Sequence, residues 1–270
     1  MTTDTIPTWD RYDGSPASVY ERYFVPAIGR RFAEQVVEAA APRPGERVLD
    51  VACGTGVVAR IATEHVGDPT LVAGIDGHPG MLATARSNSP EIDWRQASAE
   101  GLPFDDDSFD IVLCSLGLQF FVDKLRALRE MRRVMRPGGR CAIATAGPTP
   151  EPFRELHDVL AEHLGEHVAA FVDAVFTLAD QDHLSDLMGA AGLDDVDATR
   201  RTVELRLGPP ADFLWQYLLG TPLAEHVADL DDDRRAALER AVVERWQPFT
   251  DDAGVHMGVG IVLGTARAPA

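Results

Sequence analysis

One stretch limits what this chain can fold into more than any other: Arg47-Val48-Leu49-Asp50-Val51-Ala52-Cys53-Gly54-Thr55-Gly56-Val57-Val58-Ala59, preceded by Pro44-Gly45. Its aliphatic, β-branched beginning reads as a buried parallel strand. Two glycines one residue apart then break the strand. After them the apolar spacing becomes helical through Ala59, Ile61 and Ala62. A strand, a glycine turn and a helix N-terminus make a seat for a ligand, because glycine carries no Cβ and lets the backbone come close.

Two ligands compete for that seat. Gly54-Thr55-Gly56-Val57-Val58-Ala59 matches the dinucleotide pattern G-x-G-x-x-G/A, and Asp76 follows about 20 residues later, where an acidic residue takes ribose hydroxyls. On those residues alone a nicotinamide enzyme is a fair reading. Asp50 opposes it, since a carboxylate just before the turn would face a pyrophosphate with like charge. The same carboxylate suits an ammonium and a sulfonium. S-adenosylmethionine brings both, together with the ribose for Asp76, and is the preferred ligand.

The chain has 270 residues and a formal net charge of −18, with 45% hydrophobic residues, enough for a full core. That charge repels nucleic-acid backbones and anionic membrane surfaces, so the expected partner is a small neutral or cationic molecule. A homodimer is allowed. Three cysteines, Cys53, Cys114 and Cys141, lie in apolar strand-like contexts without paired metal spacing and point to the reducing cytoplasm. The polar start, Met1-Thr2-Thr3-Asp4-Thr5, shows no signal peptide, and no apolar run is long enough for a bilayer.

Read in order, residues 1 to about 15 form a loose arm. Helical spacing of Tyr20, Tyr23, Phe24, Ile28, Phe32, Val36 and Val37 makes residues 1–44 an N-terminal helical lid. Residues 45–147 alternate strand and helix: strands near 48–51, Thr70–Asp76, Ile92–Gln96, Phe109–Cys114 and Arg140–Ala146 imply a parallel sheet, the donor-binding core. Ligands in such sheets bind outside the carboxyl ends of the strands. Residues 148–182 read as a helical cap insertion, 183–208 as a continuation of the core, 209–253 as a second cap insertion and 254–270 as a final strand.

These residues carry a family resemblance. Val48-Leu49-Asp50-Val51-Ala52-Cys53-Gly54-Thr55-Gly56 resembles the first motif of class I S-adenosylmethionine-dependent methyltransferases, and Ile75-Asp76 with Met81-Leu82 resembles their acidic ribose motif. Ala99-Glu100-Gly101-Leu102-Pro103-Phe104 with Ser108-Phe109-Asp110 is similar to their third and fourth motifs. Leu128 to Gly139 is similar to the segment before their fifth strand. The resemblance covers about residues 45–147 and is nearest to the bacterial small-molecule group, which includes quinone-pathway C-methyltransferases and natural-product O- and N-methyltransferases of secondary metabolism. It implies a Rossmann-like, doubly wound α/β sheet of seven strands, the last antiparallel and inserted between the fifth and sixth, with helical cap insertions.

The resemblance also implies roles. Asp50, with the backbone at Ala52 and Gly54 and the turn at Gly56, would hold the methionine part of the donor. Asp76 would hold the ribose, and Gly77 and Met81 would flank the adenine. Ser98 and Ala99 would meet the adenine edge, with Ser98 standing where Asp is common. Cys114 and Leu116 would lie near the sulfonium. Tyr20 on the lid and Gln119 in the apolar loop Gly117-Leu118-Gln119-Phe120-Phe121 are grouped with the cofactor residues. Gln119 could point at donor or substrate, or bond to its own loop. The implied reaction is methyl transfer by in-line displacement to a small, apolar or aromatic O-, N- or C-acceptor. The alternatives are another reaction on the same fold, such as a cyclisation, and an NAD-dependent oxidoreductase.

A general base is harder to place. His157, His183, His226, His256, Tyr20 and Tyr217 are the candidates, and His157, just beyond the fifth strand, has the best position. His163-Leu164-Gly165-Glu166-His167 matches the zinc pattern H-x-x-E-H, but Gly165 weakens the helix that must present both ligands, so no metal is expected.

Overall fold

The computed structural model describes residues 8–270, the side chain of Asp10 excepted, so the first seven positions of the expected arm lie outside the described residues. The strands are β1 (Val48–Val51), β2 (Val72–Asp76), β3 (Asp93–Gln96), β4 (Phe109–Ser115), β5 (Met135–Ala146), β6 (Asp194–Arg206), β7 (Thr250–Asp251) and β8 (Gly254–Arg267). Seven of them run in the order β3-β2-β1-β4-β5-β8-β6, with the two-residue β7 paired to β8 at the side. The β1–β2, β2–β3, β1–β4 and β4–β5 pairs are parallel. The β5–β8 pair is antiparallel, with Arg140 opposite Arg267 and Ala146 opposite Ile261. This is the expected doubly wound sheet with its last strand inserted beside the fifth. The small β7 is the addition, a two-residue pairing with too little pattern to read from sequence.

All four residues of β1 are buried because neighbours lie on both edges. Its register sets Asp50 opposite Gly74 on one side and Leu113 on the other. Helices Val57–Val66, Pro79–Asn88 and Lys124–Val134 supply the crossovers. Between Val134 and Arg140 the chain differs from expectation. The Lys124–Val134 helix gives way to β5 at Met135, ahead of the strand start expected at Arg140, so Pro137-Gly138-Gly139 lies inside the strand, whose register against β4 shifts between Phe109 and Ile111. The bulge absorbs residues that a regular strand could not pair.

The N-terminal helical pattern is present but broken into three. Pro16–Val19 and Arg30–Ala40 are α-helical, and Tyr20–Gly29 between them is π-helical and contains Pro26. Proline has no N–H to give to the preceding turn, and a wider turn accommodates it.

The described residues form two compact units. One comprises Gly29–Pro148, Val175–Val203 and Gly260–Ala270 and carries β1 to β5. The other comprises the residues up to Ile28 with Thr149–Ala174 and Glu204–Val259. Its core is aromatic: Phe153, Phe213, Trp215, Tyr217 and Trp246 are all buried. The two indoles find acceptors there, Trp246 Nε1 donating to Pro152 O at 2.8 Å and Trp215 Nε1 to Glu239 Oε2 at 2.7 Å. No described helix is long and apolar enough to cross a membrane.

Arg140 clamps the first of these units. Its Nε donates to Ala40 O at 2.6 Å and its Nη2 to Ala41 O at 2.8 Å, at the end of the Arg30–Ala40 helix. Nη1 and Nη2 also meet both oxygens of Glu46, at 2.9 and 2.7 Å. This guanidinium holds the Glu46 carboxyl below the usual range. A carboxyl with a lowered folded pKa stabilises above its unfolded value of 4.5 and loses that contribution on acidification. Arg140→Ala should therefore cost about 2 kcal/mol near pH 7, since one side chain satisfies two helix-end carbonyls and a carboxylate. The deficit, read from denaturant midpoints, should shrink below pH 4.5. An equal deficit at pH 3 and pH 7 would refute the clamp.

Candidate active site

The carboxyl ends of β1, β2 and β4 and the segment after β3 assemble the candidate residues. Asp50 is wholly buried. Its Oδ2 accepts the Ala59 N–H at 3.1 Å, from the first turn of the Val57–Val66 helix, while Oδ1 has no partner. Burial, reinforced by the nearby Asp76 charge and opposed by the Ala59 N–H and Arg60, pushes the Asp50 carboxyl up to about 8. The folded chain thus keeps a proton there that the unfolded chain, with a value of 3.8, gives up. This contribution to stability is fully present below 3.8 and is lost as the pH rises towards 8. The thermal midpoint of the ligand-free protein should fall from pH 5 to pH 8 by more in the wild type than in Asp50→Asn. Parallel pH profiles would refute this.

The turn after Asp50 is tightly held. Ala52, Gly54 and Gly56 all have positive φ, at 57°, 54° and 90°. Cys53 N–H donates to Ile75 O at 2.9 Å, and Gly54 N–H to Asp76 Oδ2 at 2.8 Å, tying the turn to β2. The other Asp76 oxygen accepts the His78 N–H at 2.8 Å, and His78 in turn caps the Pro79–Asn88 helix, its Nδ1 accepting from Gly80 and Met81. The two glycines differ in what surrounds them. A Cβ at Gly56 would lie 2.5 Å from the Trp94 indole, whereas a Cβ at Gly54 would meet nothing within 4 Å. Gly56 is therefore required by packing, and Gly54 opens on space.

Further along, Gln96 Nε2 donates to Gly77 O at 3.2 Å and Ala97 N–H to Asp76 O at 3.1 Å, so the end of β3 is tied beside that of β2. Ser98 Oγ accepts the Glu100 N–H at 3.2 Å, and Ala99 is buried. At the end of β4, Leu116 takes a left-handed φ of 55° and its N–H donates to Ala144 O at 2.8 Å. Gly117 then passes so close to β1 that a Cβ there would lie 2.6 Å from Ala52 Cβ. Cys114 is fully buried, its thiol pushed up to about 12 by burial. Gln119 is 5% exposed and neither end of its amide has a partner, so the expected alternative of a bond to its own loop is not made.

Asp50, Ala52, Gly54, Gly56, Asp76, Gly77, Met81, Ser98, Ala99, Cys114, Leu116 and Gln119 thus fall in one compact unit at or just beyond strand ends. Tyr20 and His157 belong to the other unit. Tyr20 stacks on Phe24 with ring centroids 4.6 Å apart. His157 lies 3.1 Å from Asp158 and 3.3 Å from Asp173 through its two ring nitrogens. The Trp94 wedge was not foreseen from sequence, whereas Thr55 and Gly117 fall in the strand-end stretches expected at the ligand crevice; the buried, unpartnered Thr55 hydroxyl and the close approach of Gly117 to Ala52 are seen only in the structure. Nothing in the chain order links Trp94 to Gly56. His163 and His167 lie on separate helices, Glu151–Leu164 and Glu166–Val175, parted by Gly165 at φ 99°. Among the described residues no three His, Cys, Asp or Glu side chains gather to hold a metal.

An orphaned, buried carboxylate oxygen beside an open glycine fits a ligand that carries an ammonium, and an acidic residue at the end of β2 fits a ribose. Residues 49–143 match the family described as "Methyltransferase domain". The chain is 36% identical over 180 residues to a demethylmenaquinone methyltransferase of Renibacterium salmoninarum, covering 62% of this chain and 74% of that one. It is 34% identical over 193 residues to the ubiquinone/menaquinone biosynthesis C-methyltransferase UbiE of a Shewanella species, covering 65% and 77%. Among solved structures, the YcgJ protein of Bacillus subtilis has the same fold at a TM-score of 0.59 and 19% identity, over 89% of this chain and 99% of that one. So does phosphoethanolamine N-methyltransferase 2 of Haemonchus contortus, solved with S-adenosylhomocysteine, at a TM-score of 0.61 and 19% identity, over 97% and 59%.

Proposed function

Because this chain belongs to the class I S-adenosylmethionine-dependent methyltransferases of the quinone-pathway type, we propose donor roles for its strand-end residues and an aromatic acceptor of the quinol kind. The enzyme transfers a methyl group to a small molecule, and S-adenosylmethionine, when bound, supplies the electrophilic methyl for in-line displacement. The observation that carries the residue assignment is the unpartnered Oδ1 of Asp50. A carboxyl at this depth ionises only against a cation, and the donor's ammonium is that cation. Asp76 holds the ribose hydroxyls while its backbone bonds from Gly54 and His78 keep it in place. Ala52, Gly54 and Gly56 let the donor approach the backbone. Gly77, Met81, Ser98 and Ala99 flank the adenine, and Leu116 borders the sulfonium with Cys114 beneath it.

The relatives' names favour a quinone-pathway ring as acceptor. The net charge of −18 favours a small molecule over nucleic acid. Three free, buried thiols suit a reducing compartment, and we assign the protein to the cytoplasm. Calorimetric titration with S-adenosylmethionine and S-adenosylhomocysteine tests the donor assignment. Both should bind, more tightly as the pH rises towards 8, because binding a cation draws the proton from Asp50. Absence of heat with both ligands would sink it.

A further inference from the structure

The glycine turn after β1 is held by a side chain that the donor assignment does not use. In a helix continued back through the turn, the Ala59 N–H would reach Thr55 O, four residues earlier. Here that N–H goes to Asp50 Oδ2 at 3.1 Å instead. Thr55 is only 1% exposed, so its carbonyl needs a partner from the protein. Arg60 supplies it. Its Nη1 donates to Thr55 O at 2.7 Å, and its backbone N–H donates to Gly56 O at 3.0 Å. One half-buried residue near the start of the Val57–Val66 helix thus takes two consecutive carbonyls of the turn.

Arg60 also bears on Asp50. The ionisable groups that interact with that carboxyl come from each element around it: Asp76 at the end of β2, Arg60 on the helix, and the Cys53 and Cys114 thiols in the turn and on β4. Burial keeps both thiols protonated, so within this set Arg60 is the cation that opposes Asp76. We propose that Arg60 is a positioning residue for the methyl donor: it fixes the glycine turn through Thr55 O, and its charge steadies the Asp50 carboxylate that meets the donor's ammonium. This rests on the donor reading above and adds to the seat a residue outside the strand-end motif. Arg60 acts through the turn and through Asp50, not on the methyl group. Removing a cation beside a carboxyl raises the pH at which the carboxyl ionises. Binding that needs the carboxylate then calls for more alkaline solution, whereas a merely loosened turn weakens binding equally at every pH.

The test measures S-adenosylhomocysteine affinity by calorimetry from pH 6.5 to pH 9 in the wild type, Arg60→Met and Arg60→Lys. The ligand's own ammonium titrates alike in all three and cancels from the ratio of affinities. Arg60→Met should bind more weakly than the wild type. Its deficit should shrink about 3-fold between pH 6.5 and pH 9, as follows when ionisation of Asp50 moves up by about half a pH unit. Arg60→Lys, which keeps the charge and an N–H for Thr55 O, should follow the wild-type profile. Should Arg60→Met fail to fold, Arg60→Gln, uncharged but able to donate, takes its place with the same expectation. A deficit constant with pH, no deficit at all, or a lysine variant that behaves like the methionine one would overturn the proposal and leave the methyltransferase reading standing. A wild type that binds no S-adenosylhomocysteine would overturn the donor assignment and this inference together.

Discussion

Asp50→Asn should weaken S-adenosylhomocysteine binding by roughly 10- to 100-fold, the worth of a hydrogen bond to a charged group, and leave the protein folded. The side chain is wholly buried, and only one of its oxygens is engaged by the protein, through the Ala59 N–H. Asparagine keeps that acceptor and the shape of the side chain. It removes the charge that answers an ammonium. The ligand-free protein has little to lose by the change, because burial already favours the neutral acid at pH 7. Stability and binding should therefore separate: the melting temperature at pH 8 holds or rises while the titration flattens. The pH dependence of binding should vanish with the carboxyl. If Asp50→Asn binds S-adenosylhomocysteine as tightly as the wild type at pH 8, the ammonium is held elsewhere.

Gly56→Ala should cost about 2–4 kcal/mol of stability, and Gly54→Ala much less. Both glycines have positive φ, so each alanine incurs the left-handed penalty. Only at Gly56 does the new methyl also enter occupied space, 2.5 Å from the Trp94 indole. That ring cannot move freely, since it is buried and its Nε1 donates to Ser89 O at 2.8 Å. Gly56 is also the N-cap of the Val57–Val66 helix, so displacing it disturbs the helix whose Ala59 N–H supports Asp50. A fall in melting temperature of roughly 5–15 °C follows from the usual scaling. At Gly54 the methyl meets no protein atom within 4 Å. Its effect should appear in ligand affinity instead, because the proposed donor site uses that open space beside the backbone. The two glycines of one turn would then divide into one needed for folding and one needed for binding. Equal stability losses at both positions, with binding untouched at Gly54, would refute the division.

The neighbouring site residues differ in how far sequence order reveals them. Asp50, Ala52, Gly54, Gly56 and Asp76 could be read directly, because a strand end, a turn and a helix start impose short, local patterns. The parallel sheet could be read too, since aliphatic runs alternating with amphipathic helices have few ways to close. The inserted antiparallel strand was legible through family likeness, as an isolated glycine-interrupted run near residue 260 does not name its neighbour. The π-helical turn at Tyr20–Gly29 and the β4–β5 bulge were not legible, because each is a local compromise between a proline or glycine and a longer element that continues past it.

Sequence order alone prescribes a carboxylate at a strand end, a glycine turn and a second acidic residue one strand away, the groups proposed to seat the donor. These are set by backbone sterics and charge within about 30 residues of chain. What only the tertiary structure decided is the state of those groups. Whether Asp50 keeps one oxygen unpartnered, how far burial and the Asp76 charge raise its carboxyl, whether Gly56 faces the Trp94 ring or open space, and whether the Gln119 amide is satisfied all depend on how the strands pack. Burial and hydrogen-bond satisfaction are properties of packing, and packing exists only once the strands have been brought side by side.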